Sequence, residues 1–143
     1  MNIILFGAPG AGKGTQAKRL VEAFSYKQIS TGDLVRAEIA TGSPTGQLIK
    51  GIVDSGSFPT DDVIIDLLEG ACESSHQGHI FDGFPRTTNQ AEVLERMLAQ
   101  KGQKVDLIIR LTVSDEVVKK RILGRYSCKG CGAIYNKHFP PTK

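Results

Sequence analysis

Residues 2–15 read NIILFGAPGAGKGT, an apolar run that empties into a glycine-rich turn and ends in Lys13, Gly14 and Thr15. Ile3, Ile4, Leu5 and Phe6 carry no polar interruption, as expected of a strand covered on both faces of a parallel sheet. Gly7, Gly10, Gly12 and Gly14 then lack a Cβ, so the backbone can take positive φ and turn successive N–H groups toward one anion. A helix starting near Lys13 adds the positive end of its dipole, and the Lys13 ammonium can reach the outer phosphates of a nucleotide. The run fits G-x-x-x-x-G-K-[ST] at Gly7, Gly12 and Lys13; Gly14 stands where a hydroxyl is expected, and Thr15 supplies it one residue later. A glycine turn in an unrelated α/β protein has no need of strand, glycines, Lys and Thr in this order, so a phosphate ligand is expected.

The 143 residues, 40% hydrophobic and 23% charged, suffice for one domain with its own core and exclude a disordered chain. A net charge of +3 is too small to point to nucleic acid or a membrane surface. No apolar run approaches the ~20 residues that cross a bilayer, and the first residues read as a buried strand, not a charged leader, so a cytoplasmic protein is expected. Cys72, alone on an apolar helix face, reads as a buried thiol, whereas Cys128 and Cys131 form a C-x-x-C pair; no disulfide framework is implied.

Along the chain, Ala17, Leu20, Val21 and Phe24 recur at helical spacing over Lys13 to Phe24. A short extended segment spans Lys27 to Ser30, and Ser30 or Thr31 caps a helix through Ala40. Thr41 to Gly46 breaks it, and a second helix runs from Gln47 to Asp54. Thr60 caps a helix with Val63, Ile64, Leu67, Leu68 and Ala71 on one face, and Gly78 to Asp82 reads as a strand. The next helix starts at Thr87 or Thr88 with Ala91, Leu94 and Leu98 inward; a strand follows over Val105 to Leu111, then a helix over Asp115 to Arg125 capped by Ser114. From Tyr126 the texture changes to a tight cysteine turn, with hairpin alternation over Ala133 to Phe139. Strands interleaved with helices predict an α/β fold, a parallel sheet with helices on both faces and right-handed crossovers.

Phosphoryl transfer needs reacting oxygens in line and cations on the equatorial oxygens more than it needs a base. Lys13, Arg36, Arg86, Arg121 and Arg125 are the candidate cations. Arg121 and Arg125 share one helical face, either as a phosphate pair or as two solvated surface arginines. Arg86 comes directly off a strand end after Asp82-Gly83-Phe84-Pro85, where its planar fork can clamp phosphate oxygens. Asp82 either holds Mg²⁺ through water, pairs with Arg86 or serves as a capping acceptor. Gln90, three residues after Thr87, either closes a capping box or reads a base.

GAPGAGKGT, STGD with Arg36, DGFPRT with Gln90, and Arg121-x-x-x-Arg125 before a C-x-x-C-G hairpin together resemble adenylate kinase of the bacterial long-lid type across essentially the whole chain. The resemblance implies a P-loop kinase three-layer fold, incomplete at the C-terminus. Residues 1–29 and 60–123 would form the nucleotide-binding core, 30–59 an AMP-binding insertion and 124–143 a partial lid. It implies reversible transfer of the ATP γ-phosphoryl to AMP, giving two ADP, by a monomer that uses Mg²⁺ with ATP and binds neither nucleic acid nor membrane. By position, Lys13, Asp82, Arg86 and Arg125 would be catalytic. Gly10, Ala11, Gly12, Lys13, Gly14, Thr15, Arg121, Arg125, Ile134 and Tyr135 would meet ATP. Thr31, Arg36, Ser57, Phe58, Pro59, Gly83, Phe84, Pro85, Arg86 and Gln90 would line the AMP site.

Cys128 and Cys131 would give half of a structural zinc site, which needs four ligands; the complete lid of zinc-bearing members carries a second pair, and His138 is a third candidate here. Family members also carry further lid arginines, so this chain is expected to bind nucleotide but to transfer phosphate weakly, since losing one such charge costs ~10²-fold or more. Two rival classes are a P-loop kinase for another acceptor, of the UMP/CMP or shikimate type, and a non-catalytic nucleotide- or zinc-binding module. Arg36 and DGFPR argue against the module, because a mere binder needs no second phosphate site.

Overall fold

The computed structural model describes residues 1–72, 77–130 and 134–138. The NIILFG run forms β1 (Asn2–Gly7), and the glycine turn delivers the chain into α1 (Lys13–Phe24). β2 (Lys27–Ser30) follows, then α2 (Thr31–Thr41), α3 (Pro44–Asp54) and α4 (Asp61–Ala71). β3 (His79–Asp82), α5 (Thr88–Gln100), β4 (Leu107–Leu111) and α6 (Asp115–Gly124) continue the alternation, and an antiparallel pair, β5 (Arg125–Ser127) and β6 (Ile134–Asn136), closes it.

The four strands of the main sheet are parallel in the order β2-β3-β1-β4, so β1 is flanked on both sides. Register sets Leu5 beside Asp82 and Asp82 beside Ser30, which aligns the carboxyl ends of β1, β3 and β2. One face of the sheet packs Ile3, Leu5 and Ile80 on Ala17, Leu20 and Val21 of α1. On the other face Ile4, Ile29 and Phe81 meet Ile64, Leu68, Leu94 and Leu98 of α4 and α5, with Val35 and Ile49 reaching in from α2 and α3. Each fully buried side chain of this size contributes roughly 1.5–3 kcal/mol by leaving water. The expected α/β architecture with helices on both faces is therefore the observed one.

Several boundaries and faces differ from the sequence reading. α3 starts at Pro44, not Gln47, because Ser43 caps it by accepting from the Gly46 N–H (2.9 Å) and proline suits the first helical position. Phe6 was expected under cover and is 39% exposed: it lies at the carboxyl end of β1 beside exposed Arg110 of β4. Ala91 was expected inside and faces solvent; the buried stripe of α5 is Gln90, Leu94, Met97 and Leu98. α6 ends at Gly124, where a Cβ would run into the Asn136 side chain, and Arg125 already belongs to β5. Cys72 is buried as expected, and burial pushes its thiol up.

Candidate functional site

The site is assembled where β1 and β3 end side by side. In parallel sheets the space beyond the carboxyl ends is open to ligands wherever successive crossovers depart in opposite directions; here the chain runs to β2 on one side of β1 and later to β4 on the other. After Gly7 the turn climbs to Gly12, which caps α1 with φ 101°, a left-handed conformation that side chains rarely tolerate, and no side chain caps that helix. The first amides of α1 are thus left for an anion.

Lys13 is half-buried and folds its ammonium back onto its own loop, donating to the Gly7 carbonyl (3.0 Å) and the Ala8 carbonyl (3.2 Å). Arg121 reaches from α6 to the same loop, donating from one guanidinium nitrogen to the carbonyls of Gly10 (3.2 Å) and Ala11 (3.1 Å). Ala11 is buried beneath the turn, while Thr15 on the first turn of α1 is exposed. Arg121 is thereby separated from Arg125: the first is half-buried on the glycine turn, the second is exposed at the start of β5.

Asp82, at the tip of β3, lies next to Gly14, where an added Cβ would sit 3.7 Å from its Oδ2. The Gln28 side-chain amide donates to the same oxygen at 3.2 Å. Burial raises the Asp82 pKa above the usual carboxylate range, an effect opposed by the charge of Lys13 and the bond from Gln28 and reinforced by Asp33. Beyond it Gly83 takes φ 79°, and a Cβ there would press on the Arg86 guanidinium and the Thr31 hydroxyl.

Thr31, 2% exposed at the start of α2, donates its hydroxyl to the Gly83 carbonyl (3.4 Å). Arg86 donates Nε–H to that same carbonyl at 2.7 Å and lays its guanidinium over the Phe58 ring, 5.1 Å from the centroid. Phe84 and Pro85 are buried behind it. Thr31, Phe58, Gly83 and Arg86 are thus brought together. Pro59 is buried beside exposed Ser57 and Phe58, and Arg36 stays on the surface of α2, paired with Asp33.

Gln90 is buried, and its side chain does not close the expected capping box. Thr87 does cap α5, accepting from the Gln90 N–H at 3.2 Å, but the Gln90 Oε1 accepts from the Arg86 N–H (2.8 Å), one residue before Thr87. The Gln90 amide nitrogen donates to Asp61, the first residue of α4. Thr87 Oγ1 (3.0 Å) and Asn89 Nδ2 (3.4 Å) donate to the same carboxylate, and these bonds, that from Gln90 foremost, hold Asp61 below the usual carboxylate range. Sequence reasoning missed Asp61 altogether. At the start of α4 it reads as an ordinary acidic residue favoured by the helix dipole, and only the fold places α5 opposite.

In the terminal hairpin, Tyr135 stacks on Tyr126 with ring centroids 5.7 Å apart, and Ile134 pairs with Ser127 through the backbone. Cys128 precedes the turn at Gly130, and Cys131 lies outside the described residues. Among the described residues no three His, Cys, Asp or Glu side chains gather closely enough to hold a metal; the proposed zinc half-site includes Cys131 and so lies partly outside them. No described helix is long and apolar enough to cross a membrane. A shallow cavity of about 410 Å³ beside Asn2, Gly78 and Asp106 lies at the amino ends of the strands, and no phosphate-binding candidate lines it.

The family model described as adenylate kinase matches residues 5–137. The adenylate kinase of Paramagnetospirillum magneticum is 45% identical over 141 residues, covering 97% of this chain and 65% of that protein. That of Thermodesulfovibrio yellowstonii is 44% identical over 145 residues, with 100% of this chain and 67% of the relative covered. A Caulobacter adenylate kinase is 51% identical over 132 residues, 91% of this chain and 70% of the relative. The chain thus spans about two thirds of the length of these curated relatives.

Proposed function

Because the chain belongs to the adenylate kinase family, we propose that it carries the donor and acceptor subsites for reversible transfer of the ATP γ-phosphoryl to AMP, giving two ADP. The observation that carries this reading is the convergence of two cation-bearing loops at adjacent strand ends: Lys13 with its glycine turn after β1, and Asp82 to Arg86 after β3.

On this reading the amides of Gly10 to Thr15 and the start of α1 hold the donor phosphates, and Lys13 exchanges the Gly7 and Ala8 carbonyls for phosphate oxygens. Arg86 exchanges the Gly83 carbonyl for the acceptor phosphate, with Arg36 entering from α2 and Arg125 from the lid side. An oxygen of the AMP phosphate attacks the γ-phosphorus in line; the bond from that phosphorus to the bridging oxygen breaks, and the electron pair leaves on the β-phosphate. Thr31, Gln90 and the segment Ser57 to Pro59 seat the AMP nucleoside, while Arg121, Ile134 and Tyr135 contact ATP. The insertion 30–59 and the lid residues 124–143 are the parts that close on the core 1–29 and 60–123, in a monomeric, cytoplasmic protein.

Asp82 suits Mg²⁺: its carboxylate oxygen stands beside Gly14 on the first turn of α1, where no side chain separates it from the turn that would hold the phosphates. Mg²⁺ held there through water would neutralise charge on the phosphate oxygens. Zinc has no part in the mechanism.

Calorimetric titration with ATP, AMP, UMP and shikimate, followed by an assay of ADP formation from ATP and AMP, tests the proposal. We expect ATP and AMP each to bind, with slow turnover by this 143-residue chain. Preference for another acceptor, or ATP binding without any AMP binding, overturns the reading; turnover at an ordinary kinase rate of about 1–100 s⁻¹ overturns its claim of weak transfer.

A further inference from the structure

We propose that Asp61 is a positioning residue that sets base specificity at the acceptor site, by fixing which way round the Gln90 side-chain amide points. This deepens, and rests on, the reading in which Gln90 faces the base of AMP.

The inference comes from the hydrogen-bonding capacities of the groups around Gln90. An ionised carboxylate only accepts and a backbone N–H only donates, whereas a primary amide has two donors on nitrogen and two lone pairs on oxygen. Gln90 gives one N–H to Asp61 and receives the Arg86 N–H on Oε1 at 2.8 Å. Turning the amide over would set its oxygen against the Asp61 carboxylate and its nitrogen against the Arg86 N–H, losing both bonds and creating two repulsions in a residue that is 4% exposed.

The orientation is therefore determined by the chemistry of its two neighbours. Among the described residues one N–H and one lone pair of Gln90 are left over. That remaining pair, a donor beside an acceptor in fixed order, matches adenine, which offers an acceptor at N1 and a donor at its 6-amino group. Hypoxanthine and guanine present the reverse order, a donor at N1 and an acceptor at O6, and would need the amide turned over.

Asp61 is itself held for this task. Thr87 donates its hydroxyl proton to Asp61 at 3.0 Å, which leaves the Thr87 oxygen free to accept the Gln90 N–H and cap α5. Asn89 supplies a third donor at 3.4 Å. With these three donors on it, the carboxylate is held ionised and acceptor-only, in keeping with its depressed pKa. Asp61 also starts α4 directly after the segment that carries Phe58, so one side chain ties the base reader to the neighbourhood of Arg86.

The test compares the binding of AMP and IMP, which share ribose and phosphate and differ only along the N1–C6 edge of the purine, to the full chain by calorimetry. Wild type is expected to favour AMP by about 10²-fold or more, since a site built to pair with one hydrogen-bonding edge rejects the reversed one. Asp61→Asn can serve as donor or acceptor and leaves only the Arg86 N–H to fix the amide; Asp61→Ala removes the partner outright. In both, the AMP-to-IMP preference is expected to fall roughly tenfold, with ATP affinity unchanged. Asp61→Glu, still acceptor-only, is expected to restore most of it. A loss of fold or of general packing would weaken AMP and IMP alike and leave their ratio at the wild-type value. An unchanged ratio in the Asn and Ala variants overturns the role given to Asp61 while leaving the kinase reading intact. Absence of any AMP preference in wild type overturns the base-reading role of Gln90, and this proposal with it.

Discussion

Replacing Arg86 by alanine separates binding from stability in a way that the structure lets one calculate. Among the described residues this exposed side chain makes one hydrogen bond, to the Gly83 carbonyl at 2.7 Å, and one stacking contact with Phe58 at 5.1 Å. An ordinary hydrogen bond contributes about 1 kcal/mol and an exposed cation–π contact about 0.5–1 kcal/mol, so the fold should lose no more than about 2 kcal/mol. Against a phosphate, the same guanidinium can form two parallel charge-assisted bonds of about 1.5–3 kcal/mol each. The lower end applies because the site is open to solvent, and giving up the Gly83 carbonyl costs about 1 kcal/mol of that gain. The net loss on truncation is about 2–3 kcal/mol, or ~30- to 150-fold in AMP affinity. Calorimetric titration with AMP and, separately, with ATP measures it, with thermal melting as the stability control. Arg86→Lys should recover only part of the affinity, because an ammonium keeps the charge but loses the planar fork. AMP binding weakened less than about threefold, or ATP binding weakened as much as AMP binding, would refute the assignment of Arg86 to the acceptor phosphate.

Lys13→Met should lower ATP affinity or turnover by about 10²-fold or more while leaving the melting temperature nearly unchanged, because its ammonium's hydrogen bonds among the described residues go to two carbonyls of its own loop; a wild-type ATP titration would count against the donor site. Asp82 has a raised folded-state pKa, so its stabilising contribution is complete below the unfolded value of about 4 and is lost as pH rises through the folded one. Asp82→Asn should therefore melt higher than wild type at neutral pH, with the difference vanishing below about pH 4 and the Mg²⁺ dependence of ATP binding reduced; a difference that grows toward acid would show the opposite sign of coupling. Ile64→Ala, at a site 1% exposed between α4 and the sheet, should cost about 2–5 kcal/mol in chemical denaturation, and a cost under 1 kcal/mol would mean that this face is not the core.

The β1 strand, its glycine turn and α1 were legible from the sequence because each rests on local chemistry: an apolar run, residues that tolerate positive φ, and a helical stripe. Thr31, Gly83 and Arg86 were legible as candidates from their motifs, but their meeting at a single carbonyl oxygen, that of Gly83, depends on the register of β2 with β3. Gln90 shows where periodicity fails. A polar residue took the inward place that the apolar pattern gave to Ala91, because Asp61, almost thirty positions earlier, supplies the acceptor that makes its burial affordable. No local signal marks such a pair. Phe6 errs in the other direction: an apolar run promised burial, but its last residue passes beyond the helices that cover the rest.

The geometry also sets a condition on ligand affinity that motif reading does not contain. Lys13, Arg86 and Arg121, three of the cations expected at the nucleotides, each donate to a backbone carbonyl of a glycine turn: Gly7 and Ala8, Gly83, and Gly10 and Ala11. On the proposed reading these bonds hold the charged groups near the positions from which they would meet phosphate. The carbonyls are then surrendered when phosphate arrives, and each exchange replaces a bond from a cation to a neutral carbonyl by one to an anion, which adds the attraction between opposite charges. A phosphate that engages one cation gains little over the internal bond, whereas a nucleotide that engages several at once accumulates the difference. Inorganic phosphate should therefore bind this site far more weakly than ATP even though every individual contact is available to it, and selectivity for the polyphosphate follows from the number of carbonyls displaced together.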